Sequence, residues 1–122
     1  MFDSPTLQKL FPADRADRFF DALLGDASSG AYDIRLKFIE KNDHLLNFEF
    51  HLEQRPGKCL ACNLTYGLPQ VFARHPVIDI GGLVQKIDQK LNGSFRCSDW
   101  KLGATREVSK VLHVIPFTIY LK

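Results

Sequence analysis

Two segments of this chain, Ile34-Arg35-Leu36-Lys37-Phe38 and Leu46-Asn47-Phe48-Glu49-Phe50-His51-Leu52, alternate apolar and polar residues. Only an extended strand, whose successive side chains point to opposite faces, turns that rhythm into one buried face and one wet face. Lys41-Asn42-Asp43-His44 lies between the two segments, so they read as a hairpin. Register follows from the same pattern. Ile34, Leu36 and Phe38 share a face with Phe48 and Phe50 only if paired residue numbers add to an even total. That condition forbids a two-residue loop and favours a three-residue one. Either near register sets Glu49 opposite Lys37 or Arg35, which predicts an ion-pair ladder on the outer face.

The flanking segments extend this frame. Ser4-Pro5 predicts an N-cap and a first-position proline for a short helix that Pro12 ends. Ala16, Phe19, Phe20, Leu23 and Leu24 recur at helical spacing, with Gly25 placed to stop the helix. Arg55-Pro56-Gly57-Lys58 reads as a turn, and Leu60, Cys62, Leu64 and Tyr66 as the apolar side of a third strand that Gly67 and Pro69 break. Ile80, Leu83, Val84, Ile87 and Leu91 form a second helical stripe closed by Asn92-Gly93. Residues 95–102 and 108–121 read as two final strands. Pro116 cannot donate to a ladder, so the last strand is expected at a sheet edge or bulged at that residue. The fold class expected is α+β: a five-stranded, mainly antiparallel sheet with helices packed on one face. Its element order is α(α)-β-β-β-α-β-β within a single domain over residues 1–122.

A chain of 122 residues, 45% hydrophobic and 25% charged, buries enough surface to fold without disulfides or a metal. No apolar run approaches the roughly 18 residues of a membrane span. Met1-Phe2-Asp3-Ser4-Pro5 lacks the basic-then-apolar pattern of a secretion signal. Three cysteines leave a thiol unpaired, which suits a reducing compartment, and the expected location is the cytoplasm. Net charge is +2, too small to imply a nucleic-acid partner. Residues 1–54 carry ten acids and six bases (−4) and residues 55–122 four acids and ten bases (+6), an imbalance that intermixing in the fold would neutralise.

Cys59-Leu60-Ala61-Cys62 has the spacing of a zinc knuckle or a redox dithiol, and His75 and Cys97 could complete a closed zinc site, with Asp79 as a stand-in ligand. Strand periodicity argues otherwise. Residues three apart on a strand face opposite sides, leaving Cys62 a small core hydrophobe. Gly81-Gly82 near a helix start, with Arg74 and His75 nearby, is a candidate anion site, although close helix-sheet packing accounts for both glycines. His51 between Glu49 and Glu53 reads as part of a solvated ladder. Arg55, Lys58, Arg74, Lys86, Lys90, Arg96, Lys101, Arg106 and Lys110 with Tyr66, Phe72 and Trp100 supply the residue types of a nucleic-acid surface without any recognised motif. No nucleophile motif or glycine-rich nucleotide loop is found, so an enzyme is not expected.

The leading expectation is a non-enzymatic interaction or regulatory domain that self-associates, as a homodimer, or docks a protein partner. It rests on the long segment Val111-Leu112-His113-Val114-Ile115-Pro116-Phe117-Thr118-Ile119-Tyr120-Leu121, apolar on both faces and expected at a sheet edge that a second subunit would cover. The alternative is a zinc-binding or thiol redox-sensing protein built on Cys59, Cys62, His75 and Cys97.

Overall fold

A computed structural model of the chain describes residues 2–25, 32–57, 68–91 and 96–121. In chain order its elements are α1 (Ser4–Leu10), α2 (Arg15–Leu24), β1 (Tyr32–Lys41), β2 (Leu45–Gln54), α3 (Leu68–Arg74), α4 (Ile80–Lys90), β3 (Cys97–Leu102), β4 (Arg106–Ser109) and β5 (Leu112–Leu121). The class is α+β, with one five-stranded antiparallel sheet in the order β1-β2-β5-β3 and β4 also paired to β5. Among the described residues no helix is long and apolar enough to cross a membrane.

The hairpin forms with Ile34 opposite Leu52, Leu36 opposite Phe50 and Phe38 opposite Phe48, the even-sum register that the alternation requires. Asn42-Asp43-His44 connects the strands. The Asn42 side chain accepts from the backbone N–H of His44 (2.8 Å) and of Leu45 (3.0 Å), closing the loop. A bulge between Phe38 and Glu40 shifts the register near the loop.

Rings on the inner face of β2 and β5 meet rings from the helices. Phe50 lies 5.3 Å from Phe11 at the end of α1, 5.7 Å from Phe72 in α3 and 5.4 Å from Phe117 in β5, centroid to centroid. Phe19 of α2 joins them through Phe72 at 5.5 Å. Truncating one such buried ring to alanine costs about 3–5 kcal/mol. Two arginines tie the layers together. Arg15 Nη1 donates to the carbonyls of Val77 (3.1 Å) and Ile78 (3.2 Å). Arg55 bridges Asp17 of α2 (2.7 Å) and Asp33 of β1 (3.0 Å) and covers the Phe20 ring. With Arg106–Glu49, these pairs join the acidic first half of the chain to the basic second half, as intermixing predicts.

Several boundaries differ from the sequence reading. The cap of α1 is Asp3, whose carboxylate accepts from the Thr6 N–H (2.9 Å), one residue before the serine expected there. A helix absent from the sequence reading, α3, begins at Leu68; the missing N–H of Pro69 falls in its first turn, which needs no donor, and Leu68 and Phe72 anchor it in the core. The expected last strand over 108–121 is two strands. Ser109 Oγ accepts from the Val111 N–H (3.2 Å) and turns the chain between β4 and β5.

β5 is also not an edge. It pairs with β2 on one side and with β3 and β4 on the other. Backbone groups of alternate residues point to opposite sides of a strand. Leu121 N–H donates to His44 O (2.8 Å) on the β2 side, whereas Pro116 O accepts from Gly103 N–H (2.8 Å) on the β3–β4 side. The missing donor of Pro116 therefore faces the gap between β3 and β4, where no ladder bond is required. The interruption lies opposite the proline, on the neighbouring strand.

Gly103 makes that arrangement possible, because a Cβ there would stand 3.1 Å from both Cβ and Cγ of Pro116. The pyrrolidine ring cannot rotate away. Gly103→Ala is expected to destabilise the fold by ~1–2 kcal/mol, as overpacking does; an unchanged urea midpoint would contradict this.

Candidate functional site

β1 is ten residues long and pairs with β2 alone among the described residues. The outward direction of its backbone groups can be worked out. Gln54 N–H donates to Val111 O (2.9 Å) beside β5, so even-numbered residues of β2 address β5 and odd-numbered ones address β1. The β1 residues opposite odd positions, Asp33, Arg35 and Lys37, therefore bond to β2. Tyr32, Ile34, Leu36 and Phe38 point their N–H and C=O groups away from the sheet.

A groove runs along this edge. It is bordered by Leu7, Gln8 and Phe11 of the α1 segment, by Ala13 in the following turn, and by β1 from Ile34 to Lys37. Ile34 and Leu36 belong to the inner face of the sheet and Arg35 and Lys37 to the outer face. The concavity touches residues of both sets. Its wall is apolar on the helix side, with Leu7 and Phe11 buried, while Gln8 and Ala13 are exposed at the rim.

The outer face departs from the expected ladder in one respect. Lys37 does stand opposite Glu49. The Glu49 carboxylate, however, turns the other way, accepting from Arg106 Nη2 across β5 (3.2 Å) and contacting His51 Nε2 (3.0 Å). Lys37 is left with no carboxylate partner among the described residues, and Arg35 pairs with Glu53 at 3.3 Å where both side chains are exposed.

The opposite edge of the sheet is irregular. Register shifts fall between Cys97 and Asp99 in β3 and between Glu107 and Ser109 in β4, with residues 103–105 separating the two strands. Bulges of this kind deny a second strand continuous pairing. β1 is regular from Tyr32 to Phe38.

Of the residues singled out for metal chemistry, Cys59 and Cys62 lie outside the described residues, as does the strand expected over 60–66. Cys97 opens β3, half-buried, and its backbone N–H donates to Asp88 Oδ1 (2.9 Å). Burial first, then the Asp88 carboxylate that its thiol faces, push the Cys97 thiol up to about 11. His75 follows α3, its ring edge-on to Phe19 (4.9 Å) and its Nδ1 accepting from the Val77 N–H (3.2 Å). In the neutral ring this places the proton on Nε2, so neither nitrogen offers a free lone pair in this arrangement. Among the described residues no three His, Cys, Asp or Glu side chains converge on a common point.

The anion candidate is also resolved in detail. Asp79 caps α4, accepting from the Gly82 N–H (3.1 Å), and so occupies the donor that an anion would use. Packing against the sheet is not the reason for the two glycines. A Cβ on Gly82 would strike the Asp79 carboxylate, whereas a Cβ on Gly81 meets nothing within 4 Å. Arg74 is exposed in the last turn of α3. As for the nucleic-acid set, Phe72 is fully buried, Trp100 packs on Phe117 (6.3 Å) and Arg55 is engaged by two carboxylates; Tyr66 lies outside the described residues. Comparison with protein-family models, curated proteins and solved structures finds no match to this chain.

Two measurements check these local assignments. Gly81→Ala is expected to stabilise the protein by up to ~1 kcal/mol through helix propensity. Gly82→Ala is expected to lose ~1 kcal/mol by displacing the cap. Equal shifts of the two urea midpoints would refute the cap argument. For Cys97, alkylation mapped by peptide mass should accelerate with pH up to about 11, because only the thiolate reacts. Asp88→Asn should speed it at fixed pH. A rate already saturated below pH 9 would contradict the assignment.

Proposed function

We propose that this chain is a protein-interaction domain, not an enzyme, and that it takes up an extended segment of a protein partner as an added strand on the outer edge of β1. The observation that carries the reading is the groove along residues 34–37, where outward backbone groups of Ile34 and Leu36 lie beside the apolar wall of Leu7 and Phe11. Strand addition uses this combination: main-chain hydrogen bonds supply affinity, and a flanking wall selects alternate side chains.

The sequence reading placed docking at the last strand. With β5 inside the sheet, the same argument applies to β1, whose outer edge no strand pairs among the described residues. Support comes also from the contrast between edges, one broken by register shifts and the other regular over seven residues, Tyr32 to Phe38.

Backbone hydrogen exchange tests the reading without knowledge of the partner. In dilute isolated protein the amides of Ile34 and Leu36 should exchange fast, while those of Arg35 and Lys37, bonded to β2, are protected. Protection of Ile34 and Leu36 equal to that of their neighbours in dilute protein would mean that the edge is already covered, and would remove the proposal.

A further inference from the structure

We infer that the segment accepted by β1 is acidic and apolar at alternate positions, with carboxylates facing Lys37 and Arg35 and apolar side chains facing Leu7 and Phe11. This rests on the strand-addition reading above and adds the chemistry of the partner to it. An added strand continues the pleat of its neighbour, so its residues alternate between the two faces of the sheet. On the inner face they meet Ile34, Leu36 and the wall of α1, all apolar. On the outer face they meet the side chains of Arg35 and Lys37.

The charge on that face follows from the ion pairs. Glu49, the natural partner of Lys37 across the ladder, is held by Arg106 and His51 instead. Asp33 is held by Arg55 at 3.0 Å. Arg35 has Glu53 at 3.3 Å, exposed and therefore weak. Among the described residues the edge thus presents one cation without a carboxylate partner and one loosely matched cation on the same face. Opposite charges directly across a strand pair stabilise it, and like charges do the reverse.

A second copy of this chain fits the edge less well. Antiparallel self-pairing must keep inner face against inner face, so paired numbers again add to an even total. Centred on Leu36, it sets Arg35 against Lys37 on both sides. Centred on Arg35, it sets that residue against its own copy and Lys37 against Asp33, which Arg55 already holds. Centred on Ile34, it offers Asp33 to Arg35, but Asp33 already serves Arg55. In none of these does Lys37 meet a carboxylate that is not already engaged.

Two synthetic peptides, blocked at both ends, provide the test: one alternating valine and glutamate, the other valine and lysine. Each is titrated into the full chain at low salt while the amides of Ile34 and Leu36 are followed by NMR. The acidic peptide is expected to bind at least about tenfold more tightly than the basic one and to shift both amides. Lys37→Glu should reverse the preference, and Lys37→Gln, which adds no repulsion with Glu49, should reduce it severalfold. Ala13→Trp or Gln8→Trp, both at exposed rim positions, should abolish binding of either peptide.

Equal binding of the two peptides, lost in the rim variants, would overturn the charge inference and leave the strand-addition reading standing. Acidic binding that survives both rim variants and leaves Ile34 and Leu36 unmoved would place it elsewhere and overturn the inference. No response to either peptide at millimolar concentration would overturn both readings. Protection of those amides that grows with protein concentration alone would name a second copy as the occupant and also overturn the inference.

Discussion

The pairing of β2 with β5 sets Phe50 opposite Ile115 and Phe48 opposite Phe117, and on this register the helix layer depends. Phe50 has no exposed surface and is gripped by rings from the α1 segment, from α3 and from β5. A slip of one residue would turn Phe48, Phe50 and Leu52 to the wet face and bring Glu49 and His51 under the helices. The desolvation penalty of a single carboxylate there is several kcal/mol, comparable to the net stability of a small domain. Register is therefore specified by burial alone, and the helices follow, because their apolar stripes have one surface to cover.

That logic explains what could be read from the chain and what could not. Strong two-residue alternation over 34–38 and 46–52 contains the hairpin, its even register and its short loop, since each is a consequence of burying one face. Helical stripes ending at Gly25 and near Leu91 are local signals of the same strength. Strand order is another matter. The segment 108–121 is apolar on both faces because it is central, with Val114 as buried as Phe117, and an uncovered edge rich in apolar residues reads identically in one dimension. Pro116 sharpened the error. A proline in a central strand needs a gap facing its nitrogen, and Gly103 and Thr105, which border that gap, lie more than ten residues earlier in the chain. The groove beside β1 was hidden for the same reason. Edge status belongs to topology, and the wall contributed by Leu7 and Phe11 looks in sequence like any other apolar face of a short helix.

The two edges of the sheet carry different histories of constraint. An edge strand is a template for unwanted pairing, and proteins blunt it with bulges, charge or cover. On the β3–β4 side the ladder is shifted twice and interrupted once within thirteen residues, Cys97 to Ser109. On the β1 side a single shift falls among the described residues, after Phe38 and close to the hairpin loop, and charge lies along the regular part. Charge repels selectively. In the proposed strand addition, Arg35 and Lys37 would discourage basic strands and admit acidic ones, so protection and specificity would come from the same side chains.

Lys37 has no carboxylate partner among the described residues because Glu49, which stands opposite it, turns toward the far side of the sheet. Val114 lies on the outer face, between His51 of β2 and Arg106 of β4, and yet is 1% exposed. What crosses the sheet beside it is the Glu49–Arg106 ion pair, spanning β5 between Val114 and Pro116, with His51 bracing the carboxylate. Drawing Glu49 toward β4 links the two strands that flank β5. The same movement takes the carboxylate away from Lys37. The ion pair across β5 and the positive charge on the β1 edge are thus two outcomes of one rotamer choice, and the position of a single glutamate connects the outer face of the sheet to the charge its edge presents.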